Sequence, residues 1–306
     1  MLKRKPIPLR SLDHLLPPQY DYEYFAGAGT FRLTTDSIDY DPIAASWCAD
    51  ASLLAYCHGD FASAQWRRAG ARSFRLFEGA STVAHVAAGA GWTCVVFRGT
   101  QVRLPAAGNT RDNLWADVLR DVRSDLDVAR VPWPQGGLVH RGFYEALQQI
   151  WGDTSGGEGL CAYVARIAER QGLSRVWFTG HSLGGALAAL AARAYHETGR
   201  MGGAYTYGSP RVGDRAFAES YTVPCHRIVH TSDMIAKVPP WPFRHVGQRH
   251  NIGSTESPSG PVVLASRVTD WLWRHTPVAS SFADHAPLFY ATHLWNACVD
   301  APPEEI

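Results

Sequence analysis

The chain has 306 residues, of which 46% are hydrophobic and 19% charged. That composition excludes intrinsic disorder and leaves ample apolar surface for a large core. Lys and Arg total 29 against 28 Asp and Glu, a net charge of +1, so there is neither a broad basic field for nucleic acid nor an acidic tail.

The longest apolar runs, such as Leu183 to Ala192, are too short to span a bilayer, so no transmembrane segment is expected. In Met1-Leu2-Lys3-Arg4-Lys5-Pro6 and beyond, Pro6, Pro8, Arg10 and Asp13 interrupt any apolar run of the signal-peptide kind. This predicts a cytoplasmic protein, or one secreted without a leader. The six cysteines (48, 57, 94, 161, 225 and 298) lack CxxC spacing and predict free, mostly buried thiols.

Residues 1–40 are rich in Pro, Tyr and Asp and read as an N-terminal arm. Asp41-Pro42 supplies an N-cap and a first-turn proline. Ala44, Trp47, Cys48, Ala51, Leu54 and Ala55 follow at helical spacing, predicting about four turns that end near Gly59. From residue 72 the period shortens, with Phe74 and Leu76, then Val83 and His85, as strand-like runs separated by Glu78-Gly79-Ala80. Trp92 to Phe97 is a nearly continuous apolar run, suited to a strand buried on both faces. These read as antiparallel strands leading into a central one.

Leu114, Trp115, Val118, Leu119 and Val122 mark an amphipathic helix, and helical patterns recur at about 141–151 and 158–171. Val176 to Thr179 predicts a short buried strand, and Leu183 to Glu197 an Ala-rich helix closed by Gly199. Further strands are expected at 204–207, 225–230 and 261–264, and a last helix at 287–299. Strands alternating with helices predict an α/β fold with a mixed, mostly parallel central sheet flanked by helices. No repeat or linker divides residues 1–306, which are expected to form one domain.

Gly180-His181-Ser182-Leu183-Gly184 is a G-x-S-x-G sequence between the predicted strand and helix, the context of the α/β-hydrolase nucleophile elbow. The chemistry needs this arrangement. The chain must reverse within a few residues to lift a hydroxyl clear of the sheet, which strains the backbone at Ser182. Gly180 and Gly184 let strand and helix approach closely. A serine hydroxyl then needs a base oriented by an acid, and in this fold both follow the serine in the chain. Asp233, shortly after the strand 225–230, is the leading acid, with Asp214, Glu219, Glu256, Asp270 and Asp284 as rivals. His285, on a loop before the last helix, is the leading base, with His245 and His250 open. His226 and His230 lie within a strand, about 13 Å apart, too far to share a metal ion.

Four segments, the elbow among them, carry a resemblance: Val95-Val96-Phe97-Arg98-Gly99-Thr100, Val139-His140-Arg141-Gly142-Phe143, Thr179 to Ala188, and Thr206-Tyr207-Gly208-Ser209-Pro210-Arg211-Val212-Gly213-Asp214. In order and spacing the sequence resembles the class 3 lipase family, the fungal-type triacylglycerol lipases and their bacterial relatives. The resemblance runs from about 90 to 290. It implies an α/β-hydrolase fold with Ser182 as nucleophile, Asp233 as acid ahead of Val238-Pro239, and His285 as base ahead of Phe289 and Tyr290. It implies an oxyanion hole from the backbone N–H of Leu183 and the backbone and hydroxyl of Thr100. It also implies that the helix at 114–122 is a lid, though the stretch from Gln101 to Asp112 is longer than in the compact fungal pattern.

The expected activity is therefore hydrolysis of lipid carboxylic esters through an acyl-enzyme, as a triacylglycerol lipase or carboxylesterase, with no cofactor and no nucleic acid. Transient contact with a lipid interface goes with such a substrate. A phospholipase acting as a leaderless effector and a non-catalytic lipid-binding pseudoenzyme are the alternatives. Trp241, Phe243, Trp271 and Trp273 are candidates for the apolar acyl cleft.

Overall fold

A computed structural model of the protein describes residues 2–30, 33, 37–101, 129–153, 157–230, 233–253 and 283–301. Its centre is a seven-stranded sheet in the order β1-β2-β3-β6-β7-β8-β9. β1 (Ser73–Glu78), β2 (Val83–Gly89) and β3 (Trp92–Phe97) form an antiparallel meander. From β3 the sheet runs parallel through β6 (Val176–His181), β7 (Gly202–Tyr207), β8 (Cys225–His230) and β9 (Gln248–Ile252). The mixed, mostly parallel sheet with flanking helices is that of an α/β-hydrolase, as the element pattern predicts.

All six residues of β3 are buried, and alternate ones serve different cores. Val95 and Phe97 join the aliphatic core under helices α4 (Arg141–Trp151), α5 (Leu160–Gln171) and α6 (Leu183–His196). Trp92, Cys94 and Val96 join an aromatic core under α2 (Pro42–Leu54) and α8 (Pro287–Asp300). A strand alternates its side chains across the sheet, so an unbroken apolar run is the signature of two covered faces. The N-terminal residues lie along this second layer. Lys5 exchanges two hydrogen bonds with Asn296 of α8 (2.8 and 2.9 Å), and the buried Asp50 of α2 accepts from the Phe25 N–H at 2.6 Å and the Tyr22 hydroxyl at 2.9 Å.

The Asp41 cap is present, accepting from the Ile43 N–H at 2.8 Å. The helix it starts stops at Leu54 rather than near Gly59. Gly59 opens a second helix, α3 (Gly59–Arg68), whose N-cap is His58. A glycine between two helices reads equally as an end or a start. The sequence pattern also does not reveal the hairpin of β4 (Arg130–Pro132) and β5 (Leu138–His140), the helix α7 (Arg215–Glu219), or β9. β9 is an edge strand of largely exposed polar residues, where no apolar alternation is needed. The expected helix at 114–122 and strand at 261–264 lie outside the described residues. No described helix is long and apolar enough to cross a membrane. All six cysteines are free, five of them buried.

Candidate active site

β6 ends at His181 and α6 begins at Leu183, so Ser182 alone makes the turn between them. Its φ of 57° and ψ of −127° lie where a side chain is tolerated only at a cost of about 1–3 kcal/mol. The surroundings hold it there. The Ser182 N–H donates to the Tyr207 carbonyl at 2.9 Å. A Cβ on Gly180 would stand 2.3 Å from the Gly184 backbone, and one on Gly184 would stand 2.1 Å from the Phe97 carbonyl oxygen. Only glycine at both positions lets strand, turn and helix close up.

The Ser182 Oγ lies 3.0 Å from His285 Nε2. His285 Nδ1 lies 2.9 and 3.0 Å from the two carboxylate oxygens of Asp233. A carboxylate only accepts, so it holds the proton on Nδ1 and leaves the Nε2 lone pair facing the serine hydroxyl. Asp233 follows β8 by three residues and its side chain is fully enclosed. It also accepts from the Ile235 N–H at 2.8 Å and the Tyr290 hydroxyl at 2.6 Å. His285 precedes α8 by two residues.

Three residues that the sequence does not single out support the base. His181 Nε2–H donates to the His285 carbonyl at 2.6 Å, and the Tyr56 hydroxyl donates to His181 Nδ1 at 2.9 Å. Burial first, and the neighbouring His285 second, hold His181 well below the usual imidazole range. It therefore stays neutral and adds no positive charge beside His285. Next to the base, the buried Asp284 pairs with Arg10 at 3.1 Å. His181 occupies the variable position before the serine and could have been flagged for that. Tyr56 and Arg10 are 125 and 274 residues from their partners and carry no local signal.

The other candidates are placed elsewhere. Asp214 caps α7 through the Phe217 N–H, Glu219 pairs with Arg215, and Glu256 and Asp270 lie outside the described residues. His245 is bound to the Ala236 carbonyl, and His250 stacks on Tyr40 with ring centroids 4.0 Å apart. His226 packs against Tyr205, and His230 against Tyr290. Thr100 follows β3, whose last residue Phe97 is in register with Gly180, and so lies at the strand end bordering the elbow. Leu183 is the first residue of α6, where backbone N–H groups have no intrahelical partner. Trp241 is 77% exposed and Phe243 is buried, whereas Trp271, Trp273 and the expected lid lie outside the described residues. Among the described residues, no three His, Cys, Asp or Glu side chains gather to hold a metal.

The family model described as lipase (class 3) matches residues 94–243, which contain most of β3, the turn at Ser182 and the loop of Asp233. Over that stretch, just under half of its length, the chain is similar to the class 3 lipases. A secreted mono- and diacylglycerol lipase of Fusarium solani is 34% identical over 127 residues, which are 40% of this chain and 35% of that protein. A lipase of Rhizomucor miehei is 30% identical over 183 residues, 56% of this chain and 49% of that protein. The chain thus spans half or less of the length of these curated relatives. The structure of the native Rhizomucor miehei lipase–propeptide complex superposes with a TM-score of 0.53 at 27% identity, covering 69% of this chain and 68% of that one. The family match stops short of His285, and Tyr56 and Arg10 precede it.

Proposed function

We propose that this protein belongs to the class 3 lipase family and hydrolyses carboxylic esters of lipids through an acyl-enzyme on Ser182. The observation that carries the reading is the 3.0 Å approach of His285 Nε2 to the Ser182 hydroxyl, with Asp233 on the far side of the ring. Ser182 Oγ attacks the ester carbonyl while His285 takes its proton, and Asp233 stabilises the imidazolium. The N–H groups of Leu183 and Thr100, with the Thr100 hydroxyl, receive the oxyanion; one such donor typically contributes about 3 kcal/mol to the barrier reduction. His285 then protonates the leaving alcohol. Water, deprotonated by His285, attacks the acyl-enzyme and releases the fatty acid. Every step uses backbone and side-chain groups of this chain and water.

The relatives support a lipid substrate: one is named a secreted mono- and diacylglycerol lipase and another a lipase. Trp241, exposed in the loop after the acid, supports contact with a lipid surface. A panel of p-nitrophenyl esters of graded acyl length, run with Ser182→Ala, tests the proposal. Turnover that falls by about 10³-fold or more in the variant supports it. Unchanged turnover in the variant rejects Ser182 as the nucleophile.

A further inference from the structure

Four arginines converge beside the acid loop, and none of them is paired with a carboxylate among the described residues. Arg227 of β8 and Arg249 of β9 are register partners, so their side chains leave the same face of the sheet on adjacent strands. The backbone ties Arg211 to Arg244: the Val212 N–H donates to the Arg244 carbonyl at 3.1 Å, and the Arg244 N–H to the Gly213 carbonyl at 2.6 Å. Burial first, then the charges of Arg249 and Arg211, hold the Arg227 guanidinium below its ordinary value; burial, then Arg244, does the same to Arg211.

Two buried nitrogens in this cluster have no partner. Arg227 Nε is one, and His245 Nδ1 is the other. His245 donates through Nε2 to the Ala236 carbonyl at 2.6 Å, which leaves Nδ1 turned away from that contact. Burial, followed by Arg227, pushes its imidazole down to about 3. Arg211 spends one Nη1–H on the Pro239 carbonyl at 2.9 Å, and Arg249 its Nε–H on Asn251 at 2.7 Å. Among the described residues, the remaining guanidinium donors of these four arginines meet no acceptor. Gathering like charges in partly dehydrated surroundings is unfavourable unless an anion completes them. Guanidinium forks match the oxygens of a phosphate group.

The cluster shares its loops with the site. Gly208, three residues before Arg211, is so close to the acid and base that a Cβ there would stand 2.5 Å from Asp233 Oδ2 and 2.9 Å from His285 Nδ1. Ala236, which holds His245, is three residues past Asp233. Trp241, 77% exposed, lies between Pro239, which Arg211 binds, and Arg244. The loops that carry Arg211, Trp241 and Arg244 are thus continuous with the loops that carry Asp233 and enclose His285.

We propose that Arg211, Arg227, Arg244 and Arg249 form a phosphate subsite, occupied by the headgroup phosphate of a glycerophospholipid whose acyl ester lies at Ser182. This deepens the ester-hydrolase reading and rests on it. The test is steady-state hydrolysis of phosphatidylglycerol and of diacylglycerol in neutral-detergent mixed micelles, with p-nitrophenyl butyrate as the soluble control. Wild type is compared with Arg244→Gln, an exposed substitution, and with Arg211→Gln/Arg244→Gln. The expected result is a KM for phosphatidylglycerol raised about tenfold or more in the double variant, with diacylglycerol and butyrate turnover unchanged. Equal effects on both lipids, or none, overturn the proposal.

Inorganic phosphate separates the sources of the anion. Phosphate should raise the Tm of the wild type and not of the double variant, and should inhibit phosphatidylglycerol hydrolysis competitively. A phosphate-dependent Tm shift lost in the variant, with an unchanged phosphatidylglycerol KM, assigns the site to free phosphate and overturns the headgroup claim. If wild type leaves butyrate and both lipids intact, the ester-hydrolase reading and the headgroup claim fall together, and the Tm shift still reports on phosphate binding by the arginines.

Discussion

Ser182 and His285 meet at 3.0 Å, yet the two are held by different means. The elbow is held by its own backbone. A positive φ at one residue, two glycines without room for a Cβ, and register between neighbouring strands fix the hydroxyl within a segment of a few residues. The base loop is held from afar. Its carbonyl is bound by His181, which is bound by Tyr56; its neighbour Asp284 is bound by Arg10; its ring is bound by Asp233, which Tyr290 supports. A strained turn can be encoded locally. A loop of ordinary conformation needs side chains from other parts of the fold to stop it sampling alternatives.

This contrast can be tested. The largest effect is expected at the link between acid and base. Asp233→Asn keeps the size but can donate to Nδ1, turning the Nε2 proton toward Ser182. Its kcat on p-nitrophenyl esters should fall by about 10³–10⁴-fold. A loss under about tenfold would remove tautomer control from the mechanism.

Gly184→Ala probes the elbow. Its Cβ would meet the Phe97 carbonyl at 2.1 Å, and relief requires the strand and helix to part. Denaturant unfolding should show a loss of about 2 kcal/mol, with activity falling alongside it. Full stability together with full activity would mean that the close approach is not needed.

Tyr56→Phe probes the remote support. It leaves His181 Nδ1 buried without its donor and loosens the His285 carbonyl contact. The expected loss is about tenfold in kcat at unchanged KM, since the substitution touches no substrate. A purely structural role would lower Tm and leave kcat per folded molecule unaltered.

The last effect lies outside both regions, is nil at neutral pH and appears only in acid. His85 of β2 is buried and pushed down to about 3, by burial first and Arg98 second. It stays neutral in the folded chain, while the unfolded chain protonates it below about 6.5. Its contribution is therefore intact above that value and is lost as pH falls toward about 3. The slope is about 1 kcal/mol per pH unit. His85→Gln should flatten the acid limb of the unfolding free energy against pH, measured by denaturant titration, by about that slope; an unchanged limb would assign acid sensitivity to other groups.

The α/β pattern, the covered central strand and the strand–turn–helix around Ser182 were legible because each depends on neighbours within a few residues. Trp92 to Phe97 shows its two covered faces as an unbroken apolar run. Gly59 shows the limit, since nothing nearby states whether it ends one helix or starts the next. β9 carries five residues, Gln248 to Ile252, whose place in the sheet comes from backbone pairing with β8. Asp214 and Asp233 look alike in the sequence, each following a strand; one caps a helix and the other meets His285.

The sequence by itself determined the α/β pattern and most of the long elements, the elbow and the short set of acids and imidazoles from which the site is drawn, because glycine spacing, capping and side-chain period act over short range. The tertiary structure alone decided which members of that set meet. It brought Tyr56 to His181 and Arg10 to Asp284, set Arg227 beside Arg249 on adjacent strands, and joined the segment after Arg211 to Arg244. Those contacts join residues up to 274 apart, and only the folded sheet edge brings such distant side chains within hydrogen-bonding reach.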